Sequence, residues 1–314
     1  MRWLDGLLTL CASLLVAVHL LPFGARLWWV IDLTTHFRVQ YLAVTFVLLV
    51  LLALRRHWRA YFVLLAAGAV SVVPLVPYLP LAPRAAAVAV EPRLKVLTVN
   101  VSYRQFSARR LVEIVREVGA DVVVTQELTP YADEVLAPLD ETLPHHYKMP
   151  LQGRFGIGLW SRLPLESAMP FALGRQPAIE ARVRFGDDAF TVLGVHLNAP
   201  TSPRRAAARN TELRQLAERS AAIEGPLVVA GDFNLTPYSP LFGDWLATSG
   251  LTDTRRGRTP SVSWPATLPI FGIPIDHVAV SPEFAILAHR RLPDFGSDHY
   301  GVLAELALTG AETP

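Results

Sequence analysis

The sequence predicts an α/β domain of mixed strand pairing set behind three membrane-spanning helices. Three observations predict it. The apolar excess of this 314-residue chain, 52 % hydrophobic with a mean hydropathy of +0.33, is concentrated before about residue 82. From Arg93 onward, short β-rich runs alternate with helical periodicity. One pair of those runs is joined by Gly186, Asp187 and Asp188, a turn composition that ties neighbouring antiparallel strands.

Three apolar runs precede Arg84, from Leu7 to Phe23, Val39 to Leu54 and Ala60 to about Leu81, and His19 is the only plausibly ionisable side chain in them apart from Cys11 and the tyrosines. Each is near the roughly 20 residues that cross a hydrocarbon core, so each is expected to span a membrane. No small-x-small cleavage site follows the first run, which argues against a cleaved signal peptide, and such a peptide would leave two runs unexplained. Trp28, Trp29 and Trp58 fall in the short connections, where amphipathic rings favour the interface. Arg2 precedes the first span, Arg26 and Arg38 follow it, and Arg55, Arg56 and Arg59 separate the second from the third. The most basic loop is expected on the cytoplasmic side, which sends the chain after the third span to the far side. The expectation is a multi-pass inner-membrane protein with a periplasmic second domain. Pro74, Pro77, Pro80 and Pro83 end the third span, and the Ala/Val-rich stretch after Arg84 reads as a linker. The expected organisation is a membrane domain over 1–83, a linker over 84–92 and a second domain over 93–310.

In the second domain, Arg93–Val101 and Asp121–Glu127 read as strands. Between them Ser107 caps a helix whose Leu111, Val115 and Val118 share a face before Gly119 ends it. Ile179–Phe185 and Ala189–His196 form the hairpin. Ser202 and Pro203 then offer a cap and a first-turn proline to a helix running to about Ile223. Leu227–Gly231 reads as a buried strand, and Ile275–Val280 and Gly301–Leu308 as the last two. There is no internal repeat or low-complexity tract.

Charge divides as unevenly as hydropathy. From Glu91 to Pro314 there are 22 Lys+Arg against 25 Asp+Glu, net −3, while the upstream part carries 7 basic and 2 acidic residues, net +5. Nonspecific nucleic-acid binding draws its affinity from Lys and Arg displacing counterions, so a mildly acidic domain does not favour a general nuclease. The only cysteine, Cys11, lies in the first apolar run, so the chain can build no internal disulfide and no cysteine metal site. Any metal must be held by oxygen and nitrogen.

The polar residues that matter are distinguished by position. Asn100, Glu127, His196, Asp232 with Asn234, and Asp298 with His299 lie at or just past the end of an apolar strand, or at the start of the next. Oxygen ligands clustered there suit a hard divalent cation, which neutralises phosphate charge while neighbouring groups position water and protonate a leaving oxygen.

These residues carry a resemblance. TVNV at 98–101, TQEL at 125–128, GVHLNAP at 194–200, VAGDFNLTP at 229–237, IDHVAV at 275–280 and SDHYGV at 297–302 stand in the order and strand context of the endonuclease/exonuclease/phosphatase superfamily. The resemblance spans about 93 to 308, and GDFN and SDHYGV are its specific pieces. It implies a four-layered α/β sandwich, two mixed β-sheets face to face with helices outside, and a site at one end. Carried over, it implies Glu127, Asn100 and Asp298 as ligands of Mg²⁺, with Mn²⁺ as the alternative. It implies Asp232 as the base for the attacking water, Asn234 as fixing the phosphate and Asp232, and His196 as assisting the leaving oxygen. Asn198 would line the same loop, and His299, oriented by Asp276, would bind the phosphoryl oxygen. Some relatives carry an acid two residues after the first-motif Asn; here Ser102 stands there.

Taken singly, these residues have plainer explanations as turn, cap or salt-bridge groups; it is their conjunction that points to chemistry. His277 neighbours Asp276 on a strand and is expected to point away from the site. His145, His146 and His289 are expected at the surface or in loops, and Arg162 is as readily structural as catalytic. Arg204, Arg205 and Arg209 on one helix, and Arg255, Arg256 and Arg258 in a loop, are expected to form a solvated surface. Trp264 suits stacking on a substrate or packing equally. The expected function is a membrane-anchored, metal-dependent phosphoesterase acting on a lipid head group or other envelope phosphoester. The alternatives are a membrane-tethered nuclease and a scaffold with a vestigial site; the sequence does not speak to oligomeric state.

Overall fold

The computed structural model describes residues 2–81, 93–258 and 261–309, so the expected linker lies outside the described residues. The chain forms two compact units, Met1–Leu79 with Thr236–Gly243, and Pro80–Leu235 with Asp244–Pro314.

The first unit is helical. Helix α1 (Arg2–Leu20) runs on into a 3₁₀ turn, α2 (Trp29–Thr35) is short, α3 covers Arg38–Leu54, and α4 (Trp58–Val72) continues as a 3₁₀ segment to Tyr78. Two helical stretches, Trp3–Gly24 and Trp58–Tyr78, are long and apolar enough to cross a membrane, at 22 and 21 residues. The middle run departs from the expected straight span. Helices α2 and α3 meet at 64° and provide a third crossing if the bent pair is one span. The break has a local cause: the Thr34 and Thr35 hydroxyls donate to the carbonyls of Ile31 and Asp32, and the His36 amide closes on Leu33. These i→i−3 bonds end α2 before α3 begins. Direction within the unit is clear. Asp5 near the start of α1 accepts from Arg55 at 2.8 Å and lies 3.2 Å from His57, while His19 at the other end reaches Ser71 of α4 at 2.8 Å and Thr45 of α3 at 2.7 Å. Helices α1 and α4 therefore run the same way, and the chain returns between them through α3.

The second unit holds two six-stranded sheets. One is ordered β11-β12-β1-β2-β4-β3, from β1 (Arg93–Asn100), β2 (Val122–Gln126), β3 (His145–Met149), β4 (Ile157–Ser161), β11 (Phe284–Arg291) and β12 (Val302–Leu308). The other is ordered β5-β6-β7-β8-β10-β9, from β5 (Leu165–Leu173), β6 (Gln176–Phe185), β7 (Asp188–His196), β8 (Leu227–Asp232), β9 (Thr252–Asp253) and β10 (Asp276–Val280). In each sheet one central pair is parallel, β1 with β2 and β7 with β8, and every other pairing is antiparallel. A parallel pair needs a crossover, supplied by α5 (Ala108–Val118) and α7 (Pro203–Ala222). The predicted caps hold both helices: Ser107 accepts from Arg110, Gly119 adopts φ 61°, and Ser202 accepts from Arg205.

The apolar core lies between the sheets, where Val96, Val124 and Leu306 of one meet Val183, Val192 and Val228 of the other. A second cluster seats Leu111, Ile114 and Val115 of α5 on Leu97, Val99 and Leu303, on the alternate face of the first sheet. Two mixed sheets flanked by helices is thus the observed fold. The unpredicted elements are β3, β4, β5, β9 and β11 and the short helices α6 (Pro130–Val135) and α8 (Pro240–Ser249). Gly231 is compulsory: a Cβ there would lie 2.0 Å from the Val195 carbonyl oxygen, so only Gly lets β8 run this close to β7 just before Asp232.

Candidate active site

Both parallel pairs end on the same kind of residue. Asn100 closes β1, Glu127 follows β2, His196 closes β7 and Asp232 closes β8. Register adds Asp276, which pairs with Asp232 across β8 and β10, and the loop entering β12 supplies Asp298 and His299. Every residue expected at the site therefore lies at a strand terminus or in an adjoining turn, where a side chain can leave the packed sheet.

Asp232 is the hub. Asn100 Nδ2 donates to its Oδ2 at 3.1 Å, and the Asn234 amide donates to its Oδ1 at 2.8 Å. His196 Nε2 lies 3.5 Å and His299 Nε2 3.9 Å from Oδ2. Burial, and then the charge of Asp276, push the Asp232 carboxyl up to about 7. For His299 burial acts downward, but Asp276, at 2.9 Å from Nδ1, together with Asp232 and Asp298 outweighs it and raises the imidazole to about 10. Burial likewise works against the Asp276 carboxylate, and the His299 charge and hydrogen bond reverse this and hold it below the ordinary range. His196 goes the other way: burial, which Glu127 only partly offsets, keeps its ring neutral. The site thus sets an imidazolium, a neutral imidazole and a carboxyl near neutrality side by side.

Glu127 and Asp298 form the flank. The Tyr103 amide donates to Glu127 Oε2 at 2.9 Å, and Trp264 Nε1 contacts Asp298 Oδ2 at 3.4 Å. The other oxygen of each carboxylate takes no hydrogen bond from any described residue, which fits a cation ligand. Asn100 turns Oδ1 toward the Ser102 amide at 2.9 Å and keeps a second lone pair on that oxygen. Asp232, Asp276 and His299 also bring three ligand atoms within 4.8 Å of one another. A His299 charged on both nitrogens has no lone pair to give, so that trio fits proton handling better than metal ligation. Ser102, Glu127 and Asn234 are three of the four described non-glycine residues with positive φ, at 56°, 60° and 48°.

Asn198 is placed differently from the other expected residues. Its backbone and side-chain amides are both taken by Glu212 of α7, at 2.8 and 2.5 Å, so the side chain stabilises its loop. His277 points away as expected, its Nε2 against the Leu235 carbonyl at 2.9 Å. Arg162 pairs with Asp121 and is structural. His145 and His146 lie on β3 and His289 on β11, in strands and not in loops. Two arginines expected in solvent are fully buried. Arg209 donates to the Asn234 carbonyl at 3.3 Å, and Arg255 donates to the Asp276 carbonyl at 2.9 Å and pairs with Asp253 at 3.3 Å. Both brace backbone next to site residues. Their membership of charge runs hid them; the helical spacing of Arg209 with Glu212 and Leu213 was the one available signal.

A family model described as Endonuclease/Exonuclease/phosphatase family matches residues 97–299. No curated protein matches the chain significantly. Among solved structures, an endonuclease/exonuclease/phosphatase from Beutenbergia cavernae is 23 % identical with a TM-score of 0.56, covering 71 % of this chain and 74 % of that one. The D. rerio TDP2 complex with a single-strand DNA product is 15 % identical with a TM-score of 0.60, covering 69 % and 99 %. Sphingomyelinase C from Streptomyces griseocarneus is 19 % identical with a TM-score of 0.52, covering 68 % and 99 %. At these identities the likeness is one of fold.

Proposed function

The chain belongs to the Endonuclease/Exonuclease/phosphatase family and is a metal-dependent phosphoric ester hydrolase; from that premise we propose a membrane-anchored enzyme that cleaves an envelope phosphoester or lipid head group by attack of water. The observation that carries the mechanism is the Asp276–His299–Asp232 arrangement, with 2.9 Å on one side of the imidazole and 3.9 Å on the other. Asp232, with its carboxyl near 7, takes the proton of the attacking water, which suits a base working near neutral pH. Asn234 fixes Asp232 through its backbone amide. His299 keeps its positive charge because Asp276 faces it, and that charge stabilises the phosphoryl oxygen. His196 assists the leaving oxygen. Asn100, Glu127 and Asp298 are the residues to hold Mg²⁺, or Mn²⁺ in its place, which when bound neutralises charge on the phosphate.

What supports a membrane setting is the pair of apolar helices of 22 and 21 residues, and what points the second unit to the periplasmic side is Arg55 and Arg56 ahead of α4 with Arg59 in its first turn. The test is turnover by the full chain in detergent, with Mg²⁺, of a panel holding nucleic acids, sphingomyelin, phosphoinositides and nucleotides. Turnover lost on chelation, in Glu127→Ala and in Asp232→Ala is expected; no turnover, or turnover indifferent to Asp232→Ala, sinks the proposal. A nuclease is the second reading, favoured by the same fold occurring in the D. rerio structure that holds a DNA product. Cleavage of DNA that falls steeply with ionic strength supports it.

A further inference from the structure

We propose that Arg104 and Arg154, both packed on Tyr103 beside Glu127, form a subsite for a second phosphate group, so that the substrate carries an anion next to the phosphate that is cleaved. The inference rests on the phosphoesterase reading above.

Tyr103 ties this cluster to the site, since its own amide donates to Glu127 Oε2 at 2.9 Å. The two guanidinium carbons stand 5.4 and 5.1 Å from the centre of its ring. Arg104 Nε donates to the Tyr103 hydroxyl at 2.8 Å and Arg154 Nη2 at 3.3 Å. Phe155, next in the chain, puts its ring 6.4 Å from that of His196, so the same loop borders both parts of the site.

Neither arginine forms an ion pair with any described carboxylate. Several surface arginines do so, Arg109 and Arg110 with Glu113, Arg116 with Glu141 and Arg182 with Glu166, while Arg205 and Arg214, which also lack one, reach only threonine hydroxyls and lie on α7 away from Glu127. The charge of Arg154 is favoured first by the Tyr103 hydroxyl, opposed by burial, and favoured again by Glu127 and Asp298, whose negative charges it feels. A guanidinium has five N–H donors, and the hydroxyl takes one from each, so most donors of this pair remain for another acceptor. Two planar forks whose orientation is set by a shared ring suit the tetrahedral oxygens of a phosphate. They are spare positive charge in a stretch, Glu91–Pro314, whose total is −3. A neighbouring phosphate of a nucleic-acid strand and a ring phosphate of an inositol head group both meet this description; a zwitterionic head group with one phosphate does not.

The test has two arms on the full chain in detergent. The kinetic arm compares the dinucleotide dTpdT with its 5′-phosphorylated form, and glycerophosphoinositol with a form phosphorylated on the ring. We expect the second phosphate to raise kcat/KM about tenfold in the pair that matches the natural source, mainly through KM, and the double variant Arg104→Ala/Arg154→Ala to lose that advantage. A variant that slows both members of each pair equally overturns the subsite. The binding arm needs no turnover: calorimetric titration should show inorganic pyrophosphate binding about tenfold more tightly than orthophosphate, with the difference gone in the double variant. Equal affinities in the wild type overturn the subsite. Loss of binding to anionic vesicles with the pyrophosphate preference intact does so too, and assigns the arginines to the bilayer. Intact preference with no turnover of any substrate instead overturns the phosphoesterase reading. If the double variant unfolds, Arg104→Lys/Arg154→Lys keeps the charge and removes the forks, and a reduced but measurable preference is expected.

Discussion

Asp276 and His299 each hold the other's charge, and neither is of use alone. We therefore expect Asp276→Asn and His299→Gln each to lower kcat by about 10²–10⁴, and the double variant to cost little more than either single one, since residues acting as a unit are not additive. Additive losses in single-turnover rates would separate their roles. These groups were legible in the sequence because each sits in a motif at a strand end. Arg209 and Arg255 were not: a charge run gives no sign of which member is buried, and both are 0 % exposed. Removing one side of the buried Arg255–Asp253 pair by Arg255→Met should cost about 3–5 kcal/mol in denaturant unfolding. His289 offers a pH test. Burial, followed by the Arg255 charge, pushes its imidazole down to about 3, so the folded state favours the neutral ring. Its contribution to stability is present above the ordinary value of 6.5 and is lost as pH falls toward 3, and His289→Gln should flatten that part of the pH–stability curve.

At the scale of elements, the strands that carry motifs and the two capped helices were legible, because a buried parallel strand reads as an unbroken apolar run and a cap is a local signal. The missed strands have mixed patterns. In β5 only Leu173 is buried, and β3 has no buried residue, so neither presents a clean alternation. Pairing, not composition, makes them strands. The site depends on how closely its central strands lie. Gly231→Ala should push β8 off β7 and displace Asp232, costing about 1–3 kcal/mol in thermal or denaturant unfolding and a larger share of activity. Unchanged kcat in a less stable Gly231→Ala chain would show that the site tolerates strand displacement.

For the molecule as a whole, direction within the helical unit matters more than the number of apolar runs. Because α1 and α4 run the same way, a chain that crosses with both must cross back between them, and the bent α2–α3 pair supplies that return if it is one span. That bend was not legible, since hydropathy sees Val39–Leu54 and is blind to a helix closed by threonine hydroxyls. We expect a periplasm-specific reporter fused after Pro314 to be active and a cytoplasm-specific one silent; the reverse result inverts the topology. The lone thiol then acquires a consequence for biogenesis. If the chain crosses three times from a cytoplasmic N-terminus, as we propose, the second domain acquires its structure where thiols are oxidised. Cys11 lies in α1, so a second domain exported in that way carries no sulfhydryl and can neither be trapped by mispaired bridges nor depend on a thiol oxidase. Its maturation should proceed equally well in a reducing and in an oxidising compartment.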